Sequence, residues 1–172
     1  PQNPLRELNA YVIRTPGANL VIDTGFCREE CRAALWSGLE ALGLEWSRTA
    51  LFLTHLHSDH TGLVWDFVDR GIPVYMGRGE FDYCASFRSG DSLLPLSRTF
   101  LLEGFPKEEL ERQPTGNQAK LYAPRPGYPA LPVEDGQPLP FPGVQILALQ
   151  TPGHTPGHTV LYLPAEQLLF TG

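Results

Sequence analysis

The placement of the histidines is the feature that most constrains how this chain can fold. All five histidines lie in two short segments, THLHSDHTG at 54–62 and TPGHTPGHT at 151–159. Each segment follows an apolar run that is typical of a strand, 50–53 before the first and 144–149 before the second. Two strands that end in histidines indicate a single rim, and the sequence therefore predicts that the two segments meet in the fold.

The first segment carries metal-ligand chemistry. It places His55, His57, Asp59 and His60 within six positions. Alternate side chains of an extended segment share a face, so His55 and His57 point the same way, whereas the adjacent Asp59 and His60 diverge. Imidazole and carboxylate groups bind zinc, iron and manganese, and a catalytic zinc takes about three protein ligands besides a water. His55 and His57 supply two, so a third ligand must come from elsewhere.

The second segment holds the two remaining histidines, His154 and His158. Its Thr-Pro-Gly turns can expose an imidazole at the end of a strand. A lone histidine is more often a hydrogen-bonded structural residue than a ligand, but the confinement of every histidine to two strand ends argues against chance. The sequence therefore predicts one metal centre that draws on both segments, with His154 or His158 as its third ligand.

Strands and helices alternate in the first half of the chain. Two short strands are predicted at 11–13 and 19–22, and the turn Thr15-Pro16-Gly17 joins them as a hairpin. Apolar residues at helical spacing predict an amphipathic helix over 28–44. The other elements predicted in this half are a strand at 50–53, a short helix at 62–68 and a strand at 73–76.

The alternation is lost after residue 78. Short helical fragments predict a helical insertion around 78–112, whose aromatic residues suit either a wall over the site or ordinary packing. These aromatic residues are Phe81, Tyr83, Phe87 and Phe100. Seven prolines between 124 and 143 exclude a helix or a central strand, so this stretch is predicted to be an irregular loop. The last predicted elements are strands at 144–149, 158–163 and 167–171.

Composition limits the partners of this chain. Its 172 residues, 42% of them hydrophobic, suit one domain. A net charge of −6 without a run of Lys or Arg argues against a nucleic-acid partner. No apolar run reaches the ~18 residues of a membrane span, and the odd number of cysteines argues against a disulfide framework. We expect a cytoplasmic protein that acts on a small molecule, with its oligomeric state open.

The motifs resemble those of a known family. THLHSDH resembles the HxHxDH motif of the metallo-β-lactamase superfamily, and LVIDTG, TPGHTPGHT and LLFTG resemble its accompanying motifs in the same order. The resemblance spans residues 8–172. It implies an α/β (α+β) fold, the four-layer αββα metallo-β-lactamase sandwich, with the metal site at one edge of two packed sheets. We expect one such domain over 1–172, partial in its second half, with the insertion around 78–112 and the Pro-rich loop at 124–143.

The resemblance implies the ligands of a first metal ion. His55 and His57 occupy two ligand positions of the family pattern. The first histidine of the glycine-rich motif is the third ligand in the family, which favours His154 over His158. His158 is then expected to support or pack against the ligands.

The resemblance also implies a second metal ion. Asp59 and His60 would bind it, with Asp59 also orienting a hydroxide ion for catalysis, while Asp23 would brace the metal loop by hydrogen bonds. The family has a bridging aspartate directly after the FTG at 170–172 and a further histidine beyond it. We therefore expect weak or no binding of the second ion by this chain, and we expect the chain to be part of a longer protein.

These residues imply a metal-dependent hydrolase of EC class 3. A metal-bound water loses a proton near neutral pH, and the resulting hydroxide attacks a carbonyl group that the metal polarises. The motifs TPGHTPGH and FTG resemble the glyoxalase II and lactonase-like branch more than true β-lactamases. The expected reaction is therefore cleavage of a thioester, lactone or similar ester-like bond, with one or two zinc ions per chain and iron or manganese as other metals.

Three alternatives remain open. One is a mononuclear iron enzyme of the persulfide dioxygenase type, which shares HxHxDH and would reveal itself by bound iron and oxygen consumption. Another is a β-lactamase or phosphodiesterase of the same superfamily, although the acidic charge argues against a nuclease. The last is a non-catalytic metal-binding module, which would bind metal and hydrolyse no ester.

Four residues outside the motifs belong to chemically active types but are expected to play no part in the site. Cys27 and Cys31 lie four apart on the predicted first helix, but no second pair accompanies them, which favours half-buried thiols over a shared metal. Glu80 and Asp82 are expected to be solvated rather than catalytic. The predicted site contains none of these four residues.

Overall fold

A computed structural model describes residues 7–88, 100–112 and 121–172, whose strands form one sheet of five and one of three. The strands are β1 Tyr11–Arg14, β2 Asn19–Ile22, β3 Thr49–Leu53, β4 Val74–Gly77, β5 Leu131–Val133, β6 Leu147–Gln150, β7 Thr159–Leu163 and β8 Leu168–Phe170. The α-helices are α1 Glu29–Ala41, α2 Ser58–Thr61, α3 Val64–Val68, α4 Arg78–Arg88 and α5 Lys107–Arg112. None of the helices among the described residues has the length and apolar character needed to cross a bilayer.

The larger sheet has the order β1-β2-β3-β4-β5. Its first two strands form the predicted antiparallel hairpin, whereas β2, β3, β4 and β5 run parallel. Parallel strands present their carboxyl ends at one edge of a sheet, where ligand sites of α/β proteins are usually built. The segments that follow β2, β3 and β4 begin side by side at this edge, and they carry Asp23, His55 and Glu80.

The residues of β2 alternate between two hydrophobic cores. All four are buried, as expected for an inner strand of a sheet that is covered on both faces. Val21 belongs to the core that includes Leu39 of α1 and Phe67 of α3. Leu20 and Ile22 belong to the core between the two sheets, whose other buried members are Phe52, Val133, Leu139, Ile146, Ala148, Leu161 and Leu163. The described residues thus form helix, sheet and sheet, three of the four layers that the resemblance implies.

The smaller sheet is an antiparallel meander of β6, β7 and β8. It contacts the larger sheet where β7 begins. There Thr159 N–H donates to the carbonyl oxygen of Thr54 at 3.0 Å, and a Cβ atom on Gly77 would overlap Thr159 Oγ1. Glycine at the end of β4 therefore allows the two sheets to meet beside the histidine segments.

The short helix predicted at 62–68 is confirmed as α3, which begins two residues later, at Val64. A further short helix, α2, precedes it, and the two are separated at Leu63, whose backbone angles are φ −101° and ψ 14°. The Leu63 N–H donates to Thr24 Oγ1 at 3.2 Å. A side chain from the segment after β2 thus interrupts the helix, and local apolar spacing carries no information about it.

The predicted irregular loop at 124–143 contains a strand, β5, which includes Pro132. Proline has no N–H to donate to a neighbouring strand, so within sheets it is confined to edge strands. β5 is such an edge strand, with β4 as its one neighbour in the sheet. In the predicted insertion at 78–112, α4 and α5 are helical as expected. Residues 89–99 lie outside the described part of the chain, so the extent of the insertion stays a prediction.

Asp66 of α3 joins this helix to α1. Its Oδ2 accepts hydrogen bonds from Arg32 Nε at 2.7 Å and Trp36 Nε1 at 3.0 Å, and its Oδ1 accepts one from Arg32 Nη2 at 3.3 Å. These hydrogen bonds raise the pKa of the Arg32 guanidinium above its usual range. One carboxylate therefore holds two neighbouring side chains of α1 in place.

We predict that Asp66→Asn lowers the free energy of unfolding by about 1–2 kcal/mol, because the amide NH₂ would face a donor of Arg32 or Trp36. The loss is expected to be no larger because Arg32 is partly exposed to solvent. Urea denaturation of the metal-free protein measures this change. Glu40→Gln, on the exposed side of α1, is the matched control and is expected to change stability by less than about 0.5 kcal/mol. Equal stabilities of the two variants would contradict the prediction.

Candidate metal centre

Three connections meet at the edge where β2, β3 and β6 end. They begin at residue 23 after β2, at residue 54 after β3 and at residue 151 after β6. The hydrogen bond between Thr159 and Thr54 joins the second connection to the third. The two histidine segments therefore lie together, as the sequence predicts.

His55, His57 and His154 form one cluster. His57 Nδ1 lies 3.1 Å from His55 Nε2 and 2.9 Å from His154 Nε2. One ring nitrogen from each residue can be chosen so that all three lie within 4.8 Å of one another. Among the described residues this is the only group of three or more His, Cys, Asp or Glu side chains close enough to hold one metal ion.

The three rings differ in exposure, and the most buried one is also the most firmly oriented. His55 is 2% exposed, and its Nδ1 lies 3.1 Å from Thr54 Oγ1. This contact directs the opposite nitrogen, Nε2, toward His57. His57 is half-buried, and His154 lies at the exposed mouth of the cluster.

Burial keeps two of these imidazoles neutral. Burial, together with the nearby His60, His57, His154 and His158, lowers the pKa of His55 to about 2. Burial and the neighbouring His154 also lower the pKa of His57. A neutral imidazole has a free lone pair, which a divalent cation requires of its ligand. The donor set thus fits a divalent transition metal such as zinc, which imidazole nitrogen binds well.

Asp23 links the ends of β2 and β3. It is 1% exposed, and its backbone has a left-handed φ of 59°, which aspartate tolerates better than most residues. Asp23 Oδ1 accepts the Thr54 N–H at 2.9 Å, and Oδ2 accepts the Thr54 hydroxyl at 2.8 Å. Thr54 also contacts His55, so Asp23 is connected to the first histidine through one residue, and its role as a brace of a metal site stays a prediction.

Asp59 and His60 lie beside the cluster. His60 Nδ1 is 2.7 Å from Asp23 Oδ2, and His60 Nε2 is 3.5 Å from Asp59 Oδ2. Burial opposes the charged form of His60, but the hydrogen bond and charge of Asp23, with the charge of Asp59, outweigh it and raise its pKa. The predicted divergence of Asp59 and His60 is therefore wrong, because both residues lie on the helical turn α2 rather than in an extended segment. Two potential ligands of a second metal ion lie side by side, and the second site stays a prediction.

His158 lies next to the three-histidine cluster but outside it. Its Nδ1 is 2.8 Å from Thr151 Oγ1, and its ring centroid is 5.2 Å from that of His55. Burial and the charge of His154 lower its pKa. The structure thus brings His154 to the other two histidines and gives His158 a hydroxyl partner, and the choice of His154 as ligand stays a prediction.

Glu80 is the residue that sequence reasoning missed, since the expectation of a solvated side chain is wrong. It is 0% exposed at the start of α4. Its Oε1 accepts the Leu56 N–H at 2.7 Å, and its Oε2 accepts the Thr155 hydroxyl at 2.9 Å and the Gly157 N–H at 3.0 Å. One signal was available in the sequence, because Glu80 closely follows a strand whose carboxyl end lies at the site edge.

The other side chains considered outside the motifs lie away from the cluster. Asp82 is exposed, as expected, and lies 3.7 Å from Arg78 Nη1. Cys31 on α1 is partly buried, but Cys27 is exposed and precedes the helix, which begins at Glu29. The expectation that both thiols are half-buried on the helix is therefore wrong for Cys27.

An apolar cavity of about 570 Å³ lies beside the first histidine segment. Leu56, the residue between His55 and His57, forms part of its wall. The other lining residues come from the end of β4, from α4 and from the proline-rich segment, and they include Met76, Phe81, Cys84, Ala123 and Tyr128. Phe81, one of the aromatic residues of the predicted insertion, thus forms part of a wall near the site.

Curated relatives match the whole chain at low identity. An atrochrysone carboxyl ACP thioesterase from Aspergillus fumigatus is 27% identical over 172 residues, which is 100% of this chain and 30% of the relative. A lactamase-like protein from Aspergillus niger is 29% identical over 98% of this chain and 39% of the relative. The chain therefore spans well under half the length of these two relatives.

Solved structures share the fold. A metallo-beta-lactamase family protein from Thermus thermophilus has a TM-score of 0.79 and 32% identity, over 99% of this chain and 55% of that chain. The metallo-beta-lactamase GOB-18 from Elizabethkingia meningoseptica has a TM-score of 0.62 and 22% identity, over 91% of this chain and 49% of that chain. The second likeness concerns the fold alone, and both agree with the predicted sandwich.

A profile of the Metallo-beta-lactamase superfamily matches residues 4–172. This match covers both histidine segments, Asp23 and the strands that bring the segments together. Members of this superfamily bind divalent metals, which is the chemistry that the histidine cluster fits. With its motifs, sheet order and ligand cluster in agreement, this chain belongs to the metallo-β-lactamase superfamily.

Proposed function

We propose that this chain carries the metal site of a hydrolase that cleaves thioesters. The observation that carries the proposal is the convergence of His55, His57 and His154 into one cluster at the meeting point of the two sheets. The match to relatives named as ACP thioesterases supports thioesters over the other ester-like substrates. Lactones, which share the carbonyl carbon under attack, are the related class.

We propose that His55, His57 and His154 hold the first metal ion. When bound, a divalent cation supplies Lewis acidity, which polarises a carbonyl group and acidifies a water molecule. The Thr54 hydroxyl contacts His55 Nδ1, so the ring presents Nε2 to the shared centre. Zinc suits this all-nitrogen donor set, and iron and manganese are the other candidates.

Asp59 and His60 are assigned to proton handling and to a second metal ion. The Nδ1–H of His60 is directed at Asp23, which leaves its Nε2 facing Asp59. The Asp59 carboxylate can orient the attacking water by accepting a hydrogen bond from it at Oδ2. The buried Asp23 keeps His60 in this orientation. Loss of Asp23 would therefore disturb both the orientation of His60 and, through Thr54, that of His55.

The apolar cavity beside Leu56 suits the acyl part of a thioester. Its wall is largely hydrocarbon and aromatic, with contributions from Phe81 and Tyr128, and its volume of about 570 Å³ falls within the range of small-molecule sites. An acyl chain in this cavity would lie close to the segment that carries His55 and His57. The substrate is therefore proposed to have an extended apolar acyl group.

A mononuclear iron oxygenase is the second candidate. The three-histidine cluster is the only group of three or more candidate ligands among the described residues, and three ligands are sufficient for one ion. The related protein TTHA1623, at 28% identity and a TM-score of 0.64 over 99% of this chain and 69% of that chain, was solved with two iron ions, which supports iron as the metal but not a single-iron site. Iron in protein purified without added metal, together with oxygen consumption, would favour this candidate over the hydrolase.

We predict that His55→Ala weakens zinc binding by more than about 100-fold, because even partners of metal ligands contribute about 10- to 100-fold. Competition with a chromophoric chelator measures the affinity, and circular dichroism verifies the fold. His158→Ala is the matched control and is expected to retain the metal. Loss of zinc in His158→Ala, combined with its retention in His154→Ala, would overturn the ligand assignment.

We predict that the full-length protein prefers thioesters in a panel that also contains lactones, phosphodiesters and β-lactams. The expected kcat/KM for an acyl thioester exceeds that for a β-lactam by at least about tenfold, which is about 1.4 kcal/mol of transition-state stabilisation. Dominant turnover of β-lactams or phosphodiesters would contradict the proposal. Metal binding without turnover of any compound would indicate a binding module.

We predict that Ala123→Phe, at the exposed edge of the cavity, discriminates between acyl chains. Filling the cavity is expected to lower kcat/KM for an octanoyl thioester by about tenfold or more and to leave an acetyl thioester within about twofold, because each methylene in an apolar pocket contributes about 1–3 kcal/mol. Ala33→Phe, exposed on α1 and outside the cavity, is the control. Equal effects on both thioesters would show that the acyl group binds elsewhere.

A further inference from the structure

Glu80 contacts both loops of the candidate metal centre from a third element. It lies in the first turn of α4, which follows β4 directly. Its carboxylate is fully buried, although α4 as a whole lies on the outer, helical side of the larger sheet. A carboxylate so enclosed requires hydrogen-bonding partners, and it has three within 3.0 Å.

Each arm of the carboxylate ends next to a candidate metal ligand. Oε1 accepts the N–H of Leu56, the residue that separates His55 from His57. Oε2 accepts the hydroxyl of Thr155, the residue that follows His154. The two oxygens of one side chain thus bind the two loops that must be held at a fixed separation for the three imidazoles to meet.

Close packing leaves this arrangement little freedom. Oε2 also accepts the N–H of Gly157, and a Cβ atom on Gly157 would overlap the backbone of Glu80 and Gly79. A Cβ atom on Gly79 would in turn overlap the side chain of Gln150 at the end of β6. The β6–β7 loop is therefore seated directly on the first turn of α4, and Glu80 lies at the contact.

We propose that Glu80 is a positioning residue, which sets the affinity of the metal centre by fixing the β3 loop relative to the β6–β7 loop. This inference rests on the proposed metal site. It adds a residue, Glu80, that affects metal affinity without itself binding the metal. Two of the three donors are backbone N–H groups, which cannot turn to become acceptors. The site therefore needs an acceptor on both sides of the side chain, which a carboxylate provides and an amide does not.

Glu80→Gln is the sharpest test because it keeps the size of the side chain and replaces one acceptor with a donor. In either orientation, the amide NH₂ faces a backbone N–H, that of Leu56 or that of Gly157. We expect zinc affinity to fall by about 10- to 100-fold, the range typical of residues that orient metal ligands. We also expect the absorption spectrum of the cobalt-substituted protein to change, because the ligand geometry changes.

Two controls separate positioning from general stability. Glu134→Gln makes the same chemical change in an exposed carboxylate, which pairs with Arg78 of α4, the helix that also carries Glu80. This variant should leave zinc affinity within about twofold. Leu39→Ala destabilises the core beneath α1, away from the histidine cluster, and the folded variant should bind zinc like the unaltered protein. Chelator competition is carried out on the folded, metal-free full-length proteins.

Thr155→Val tests the same inference without touching Glu80. It removes a single hydrogen bond of the carboxylate, and we expect an affinity loss of about three- to tenfold. This variant decides the question if Glu80→Gln fails to fold. Unchanged zinc affinity in Glu80→Gln, or in Thr155→Val where that variant decides, would overturn the inference, as would an equal loss in Leu39→Ala.

The test also distinguishes this inference from the proposed function. If the unaltered protein binds no divalent metal, the proposed metal site fails, and the inference fails with it. If the unaltered protein binds zinc and Glu80→Gln binds it equally well, only the positioning role fails. If zinc binds and depends on Glu80 but no thioester is hydrolysed, the positioning role stands and the proposed reaction fails.

Discussion

The buried carboxylate of Asp23 is the contact on which the rest of the site depends. Asp23 directly follows β2, and its backbone is in the left-handed conformation. Its carboxylate accepts hydrogen bonds from the backbone N–H and the hydroxyl of Thr54, which follows the neighbouring strand β3. Thr54 contacts His55, and Asp23 also holds His60. One side chain therefore contacts both ends of THLHSDH, because the Asp23 oxygens accept hydrogen bonds from Thr54 after β3 and from His60 on α2.

Burial and charge act together on the imidazoles around this carboxylate. Burial lowers the pKa of His55 and His57 and holds them neutral, whereas His60, with two carboxylates beside it, favours the protonated form. The two more buried rings of the three-histidine cluster and the ring of His60, whose Nδ1 faces Asp23, thus differ in the direction in which the protein shifts their pKa. The predicted divergence of Asp59 and His60 assumed an extended segment, but both residues lie on the helical turn α2, where their side chains meet.

Two buried carboxylates approach the histidine cluster from different directions. Asp23 fixes the β3 side from within the larger sheet, and Glu80 reaches both the β3 side and the β6–β7 side from α4. The glycines around Glu80 are required because the backbones approach so closely that a Cβ atom would overlap a neighbour. Such enclosed hydrogen bonding suits a site whose ligands must keep a fixed separation.

The sequence by itself determined seven of the eight strands, the hairpin, the helix α1 and the meeting of the two histidine segments. These features depend on local periodicity and on residue types at strand ends, which a sequence displays directly. Tertiary structure alone decided the break at Leu63, the edge strand around Pro132 and the burial of Glu80. Each depends on a partner remote in the chain: the Thr24 hydroxyl, the free edge of β4 and the loop around Gly157. A glutamate near a helix start has the same local pattern whether solvent or a second sheet covers it, so only the packing of the two sheets could assign it to the site.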